Sequence, residues 1–246
     1  MERTPLIWAH RGASGCRPEN PLPAFEEAAH AHADGIELDV QLTRDGELVV
    51  CHDERVDRTS SGIGYVKDFT LAELKKLDFC YGNLNYEGTK IPTMKEVFAC
   101  LQPTGLTINI ELKTGEFFYE GIEEKMVILT HAMGWENRVI YSSFNHYSIK
   151  NIQALDPDAK TAFLYCDGTV DMPEYGRANG VTALHPSGYN LQYPDFMKKC
   201  QAYGLDVNVW TINRAEDILA CANAGVHAII TNYPSKARQV LENQIL

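Results

Sequence analysis

The sequence predicts an α/β fold, a TIM (β/α)8 barrel with a small insertion after the second strand region. Short β-branched runs alternate with helical patterns, which argues for βαβ units and a parallel sheet. About eight such units fall in 246 residues, a length ordinary for one closed barrel. Two of the strands also segregate polar from aliphatic residues by parity, as a barrel with a polar mouth requires.

In chain order, Leu6–Ala9 opens the first strand and leads to a helix over Leu22–Ala33. Gly35–Val40 and Leu48–Cys51 are the next strands, followed by a helix at Met94–Leu101. Leu106–Leu112, Val139–Ser142, Thr161–Tyr165 and Val181–Leu184 are strands, separated by helices at Phe117–Met133, Ser148–Leu155 and Pro173–Ala178. Tyr193–Tyr203, Ala215–Ala224 and Pro234–Glu242 are the last helices, around strands Asp206–Val209 and Ala228–Thr231. Gly134 and Gly204 read as helix-ending glycines, and Asn213 as an N-cap before acids in a first turn. About forty residues between His52 and Ile91 break the rhythm and are expected to rise over the barrel mouth. With no Pro/Ser-rich linker, residues 1–246 read as a single domain with its insertion at about 53–91.

An apolar content of 45% and a charged content of 22% are those of a soluble globular protein, and no apolar run reaches the roughly 18 residues of a membrane span. Leu6–Ala9 is too short for a signal-peptide core, so a cytoplasmic location is expected. Seven scattered cysteines without a C-x-x-C argue for free thiols and against a zinc site. A net charge of −11 repels nucleic acid and acidic lipid, so neither a nucleic-acid partner nor stable membrane association is expected, and an anionic substrate needs a locally positive site. Oligomeric state is left open.

Glu37 and Asp39 share one face of their strand, opposite Ile36, Leu38 and Val40. Asn109, Glu111 and Lys113 likewise oppose Ile108, Ile110 and Leu112. Helices must cover the aliphatic face, so the polar face points into the barrel. Either strand alone fits a half-solvated antiparallel strand equally well; two such strands within βαβ units do not. Glu37, Asp39 and Glu111 then converge, and three neighbouring buried carboxylates call for a cation. Oxygen ligands suit Mg2+ or Ca2+. The competing arrangement pairs each acid with Arg11 or Lys113; the preferred one turns both cations toward the substrate. His10 and His52 follow strands and can act as an acid/base pair near neutral pH, with Arg11 offering a fork for phosphate oxygens. Cys51 and His52 point to opposite faces, which rules against a thiol–imidazole dyad. His30, His32, His131, His146 and His227 read as structural or exposed.

His10-Arg11-Gly12, Pro18-Glu19-Asn20, Glu37-Leu38-Asp39-Val40, Thr43-Arg44-Asp45-Gly46, His52-Asp53, Arg58-Thr59, Asn109-Ile110-Glu111-Leu112-Lys113 and Trp210-Thr211-Ile212-Asn213 together resemble the glycerophosphodiester phosphodiesterase family. The resemblance runs over nearly the whole chain. It implies metal-dependent hydrolysis of a small-molecule glycerophosphodiester to glycerol 3-phosphate and an alcohol. It further implies Glu37, Asp39 and Glu111 as metal ligands, His10 and His52 as catalytic groups, Arg11 and Lys113 on the phosphate, and Trp210 against the glycerol. His185 matches more loosely as a substrate contact. Asn232 stands where this family frequently has Asp, and Pro21 where it commonly has Thr. Which histidine is base, whether water or the glycerol 2-hydroxyl attacks, and which alcohol leaves are not given by the residues. The rival readings are a phosphodiesterase acting on lysophospholipids, in the manner of a lysophospholipase D, and a barrel that binds phosphate metabolites without chemistry.

Overall fold

The computed structural model describes residues 4–243. The expected ends of the single domain, residues 1–3 and 244–246, lie outside the described residues. Eight parallel strands close into a barrel: β1 Leu6–His10, β2 Gly35–Leu42, β4 Thr107–Leu112, β5 Val139–Ser143, β6 Thr161–Tyr165, β7 Ala183–Pro186, β8 Asp206–Val209 and β9 Ala228–Thr231. Pairing of β1 with both β9 and β2 completes the ring. The helices between them are α1 Leu22–His30, α3 Met94–Leu101, α4 Ile122–Ala132, α5 His146–Leu155, α6 Met172–Ala178, α7 Phe196–Tyr203 and α8 Ala215–Ala224, and α9 Pro234–Glu242 follows β9. A short α2, Leu71–Leu74, lies in the insertion. Among the described residues no helix is long and apolar enough to cross a membrane, and none of the seven cysteines is in a disulfide.

Parity sorts the strand residues as the sequence demands. Ile36, Leu38, Val40, Ile108, Ile110 and Leu112 join the main apolar layer between strands and helices. The interior holds a smaller cluster of Trp8, Ile140, Ala162, Ala183, Ala228 and Ile230, in which alanines make room for the indole. Glu37 lies opposite His10 on β1 and Asn109 on β4, and Asp39 lies opposite Glu111. Two inward polar layers therefore stand on neighbouring strands.

Several boundaries differ from the sequence reading, each for a local reason. The run at Leu48 is not a barrel stave: β3, Leu48–Val50, returns antiparallel on β2. The turn between them is too short for a parallel crossover, which needs a dozen or more residues. The expected helix at Phe117 starts only at Ile122, after Tyr119 and Gly121 take left-handed backbone. The helix expected from Tyr193 starts at Phe196. Asn213 does not cap α8, whose N-cap is Arg214 without a side-chain bond. The Asn213 carboxamide oxygen instead accepts from Thr231 Oγ1 at 3.0 Å and from the Asn232 amide at 2.9 Å. β7 runs two residues later than expected, which puts His185 inside the strand.

The insertion has its own small core of Val49, Cys51, Val56, Val66, Leu74, Phe79 and Ile91. Its helix α2 forms because Thr70 and Glu73 build a reciprocal capping box. Gly12, at φ +76°, turns the loop after β1 back against α1; a Cβ there would stand 2.7 Å from the Ala24 backbone.

Candidate active site

The acids converge as parity requires. One ligand atom from each of Glu37, Asp39 and Glu111 lies within 4.8 Å of the others, and all three residues are buried. Burial and the charges of Asp39 and Glu111 push the Glu37 carboxyl well above its ordinary range. Burial also raises Glu111, against the pull of Lys113. Burial alone would raise Asp39 too, but His52, Arg11, Lys113 and a 3.0 Å hydrogen bond from Asn20 hold it well below the usual carboxylate range. The group thus resists a third negative charge unless a cation neutralises it. Asp39 Oδ1 is buried with no hydrogen-bond partner. An all-carboxylate set with an orphaned buried oxygen fits a hard divalent ion.

The basic residues do not simply face the substrate, as preferred from the sequence; they pair with acids. Arg11 Nη1 donates to Glu19 at 2.9 Å, and its Nε lies 3.6 Å from Asp39. Lys113 Nζ is 3.0 Å from Glu111 and 3.9 Å from Asp39. Removing water from these acids leaves the nearest cations as their strongest partners. Arg11 still borders the pocket, together with His10, Glu37, His52, Asn109, Glu111, Phe144, Leu164, His185, Trp210 and Ile230.

The two histidines are held differently. His10 Nδ1 lies 2.7 Å from the Asn232 side-chain oxygen. An amide oxygen can only accept, so Nδ1 carries the proton and Nε2 is left bare. Burial, with help from Arg11, lowers this imidazole to about 4. His52 Nδ1 lies 2.6 Å from the Asp53 carboxylate. Asp53 is itself drawn down to about 2 by Arg58 and His52, against its partial burial. His52 does not end a barrel stave: the antiparallel β3 delivers it back down toward Asp39, whose carbonyl accepts from the Cys51 amide at 3.0 Å. Cys51 points away, its thiol donating to the Asp53 carbonyl and pushed up by burial to about 12.

His185 reaches the pocket from its floor rather than from a strand end. It is fully buried, accepts at Nε2 from Asn208 at 2.8 Å and meets the Trp8 ring edge-on. Trp210 donates its indole N–H to the His185 carbonyl at 2.8 Å and meets Phe144 at 5.6 Å in a T-shape. The pocket is therefore charged on the side of β1, β2 and β4 and aromatic on the other.

The sequence profile of the glycerophosphoryl diester phosphodiesterase family matches residues 10–236. The chain belongs to this family. A glycerophosphodiester phosphodiesterase from Caldanaerobacter subterraneus subsp. tengcongensis is 45% identical over 231 residues, covering 93% of this chain and 94% of that protein. A Bacillus subtilis glycerophosphodiester phosphodiesterase is 34% identical over 96% of this chain and 86% of its own length. Among solved structures, an Oleispira antarctica phosphodiesterase in complex with the product sn-glycerol-3-phosphate superposes with a TM-score of 0.87 at 28% identity, covering 97% of each chain.

Within this member of the family, several side chains around the site were not legible as its parts. Gln41, fully buried, donates from Nε2 to the carbonyls of Cys51, His52 and Asp53 at 2.8, 3.3 and 2.7 Å. The Tyr119 hydroxyl donates to its Oε1 at 2.7 Å. The signal was present: Gln41 continues the inward face of Glu37 and Asp39 one step further. Asn232 and Asn20 were marked only by the family resemblance; their partners were not readable, because each acts across distant segments. His146 stacks on Phe163 with ring centres 4.0 Å apart and bonds the Leu164 carbonyl, and His131 pairs with Asp156. His146 is half-buried and His131 exposed, which fits the reading of both as structural or exposed.

Proposed function

We propose that this protein hydrolyses glycerophosphodiesters to glycerol 3-phosphate and an alcohol, using a divalent cation, Mg2+ or Ca2+, and acid/base catalysis by His10 and His52. The observation that carries the reading is the meeting of an acidic triad, two histidines and Arg11 around one pocket. Glu37, Asp39 and Glu111 would hold the cation, which when bound offsets the negative charge of the phosphodiester and of its transition state.

The chain's own groups divide the remaining work. Arg11 and Lys113 hold the phosphate, offering a fork and a point charge beside the triad. His10 is the base, since its amide partner fixes the proton on Nδ1 and leaves the Nε2 lone pair to take one from the attacking hydroxyl. His52 is the acid, since the Asp53 carboxylate fixes its ring through Nδ1 and leaves Nε2 to deliver a proton to the departing alcohol. As the new P–O bond forms, the bond to the alcohol breaks, so the proton taken at one side is returned at the other. Trp210 and Phe144 form the apolar wall against the glycerol carbons, and His185 lines the floor.

The test is turnover of glycerophosphocholine and, in parallel, of lysophosphatidylcholine, with added Mg2+ or Ca2+ and with EDTA. Metal-dependent release of glycerol 3-phosphate from the water-soluble diester supports the reading. Preference for the lysophospholipid would reassign the substrate, and no turnover of either would leave a metabolite-binding barrel. Phosphorus NMR of the reaction separates water from the glycerol 2-hydroxyl as nucleophile through a transient cyclic phosphate.

A further inference from the structure

We infer that Arg58, in the insertion, is a positioning residue that sets His52 and Arg11 together by bridging the acids that orient them. This rests on the reading above. Arg58 Nε donates to Asp53 Oδ2 at 2.6 Å and Nη2 to Asp53 Oδ1 at 2.9 Å. The same guanidinium donates from Nη1 to Glu19 Oε2 at 2.9 Å and from Nη2 to Glu19 Oε1 at 2.6 Å. Asp53 Oδ1 also meets His52 Nδ1 at 2.6 Å, and Glu19 Oε1 also accepts from Arg11 Nη1 at 2.9 Å.

One planar cation thus joins two carboxylates in two forks, and each carboxylate shares an oxygen with a group at the pocket. The run is His52, Asp53, Arg58, Glu19, Arg11, and from Arg11 Nε it reaches Asp39 at 3.6 Å. It joins two stretches that the strands alone do not tie, the loop after β1 and the residues running from His52 into the insertion. A guanidinium suits this place, because five fixed N–H groups satisfy two carboxylates at once and its charge balances one of them. Arg58 lies over the ring of Tyr81 at 5.4 Å, and Arg17 in the loop after β1 lies over Tyr86, also at 5.4 Å. The first contact steadies Arg58 within the insertion; the second, with the Arg58 fork on Glu19, ties the insertion to the loop after β1. Arg58 borders neither the pocket nor the acidic triad, so its effect passes through Asp53 and Glu19.

The experiment compares kcat and KM for glycerophosphocholine, with saturating Mg2+, in the full chain carrying Arg58→Gln, Asp53→Asn, Glu19→Gln and the double variants. Asp53→Asn should lower kcat, as His52 loses its orientation, and Glu19→Gln should mainly raise KM, as Arg11 is freed. Arg58→Gln should do both, each by about 10-fold or more. The doubles of Arg58→Gln with either partner should be no worse than the poorer single within about 2-fold, the non-additivity of one connected unit. Arg58→Lys, a point charge without the forks, should recover only part of the loss. Arg55→Gln, whose arginine pairs with Asp57 on the exposed surface of the same loop, should keep wild-type constants. If Arg58→Gln does not fold, the Glu19→Gln/Asp53→Asn cycle decides: losing either acid also loosens Arg58 on the other, so kcat/KM of the double should fall by less than the product of the two singles, and a full product would overturn the inference. Near-normal kcat and KM in a folded Arg58→Gln protein would overturn it too, as would full additivity in the doubles. Failure of the functional reading looks different, since the wild-type protein would then have no turnover to lose.

Discussion

At the residue scale, the proposed division of work between the two histidines rests on their partners, Asn232 for His10 and Asp53 for His52. His10→Ala and His52→Ala should each lower kcat by about 10²- to 10⁴-fold, the usual worth of a positioned acid or base. Mg2+ affinity by calorimetry should stay near wild type, and a near-normal kcat in either variant would remove that residue from the mechanism. Glu37→Gln should instead weaken metal binding, which calorimetry reads without any substrate. His185 makes a prediction about pH. Burial pushes its imidazole down to about 3 from an ordinary 6.5. In the window between those values the unfolded chain takes up a proton that the folded protein refuses, so stability is lost as pH falls below about 6.5. The slope reaches about 1.4 kcal/mol per pH unit for one such group. His10, lowered to about 4, adds to the same slope. Urea unfolding of His185→Gln between pH 4.5 and 7 should show a shallower loss than wild type, and parallel curves would contradict the buried, neutral assignment.

At the scale of elements, the hairpin of β2 and β3 governs the site more than any single stave. β2 carries Glu37, Asp39 and Gln41 inward, and β3 returns His52 to them. Gln41 is the clamp on that return, so Gln41→Leu keeps the volume but leaves the carbonyls of Cys51, His52 and Asp53 and the Tyr119 hydroxyl without this partner. A loss of about 1–3 kcal/mol in stability is expected, with kcat reduced more than KM. Unchanged thermal unfolding and kcat would show that backbone bonds alone hold His52. Much of this element was legible: alternation of Glu37 and Asp39 with aliphatic neighbours put both acids in the barrel without any contact information. The hairpin was not read from the sequence, because a run of Val and Cys fits a stave or a returning edge equally, although the short turn after Leu42 excludes a parallel crossover. The insertion's wiring was not readable. Arg58 meets Glu19 across 39 positions, and no period or spacing encodes that meeting.

At the scale of the whole molecule, a surface of net charge −11 surrounds a site meant for an anion. On the proposed reading the local balance comes from Arg11, Lys113 and a cation held by the acidic triad. Chelation should accordingly lower the melting temperature as well as stop turnover, since an ion held by Glu37, Asp39 and Glu111, as proposed, would relieve repulsion among them. At a metal concentration about 100 times Kd the stabilisation is about 2.7 kcal/mol. Calorimetry with Mg2+ and with EDTA reads it directly, and identical melting temperatures would argue against a resident ion.

Local patterns sufficed for the barrel, its inward acids and the residues around its mouth, because strand parity and helix signals act between near neighbours in the chain. The partners of those residues came only with closure of the barrel. Asn232 reaches His10 across 222 positions, and the docked insertion brings Arg58 to Glu19 and Asp53. Burial, which moves His10, Glu37 and His185 away from their ordinary protonation, likewise exists only once the ring is closed and water is excluded from its mouth.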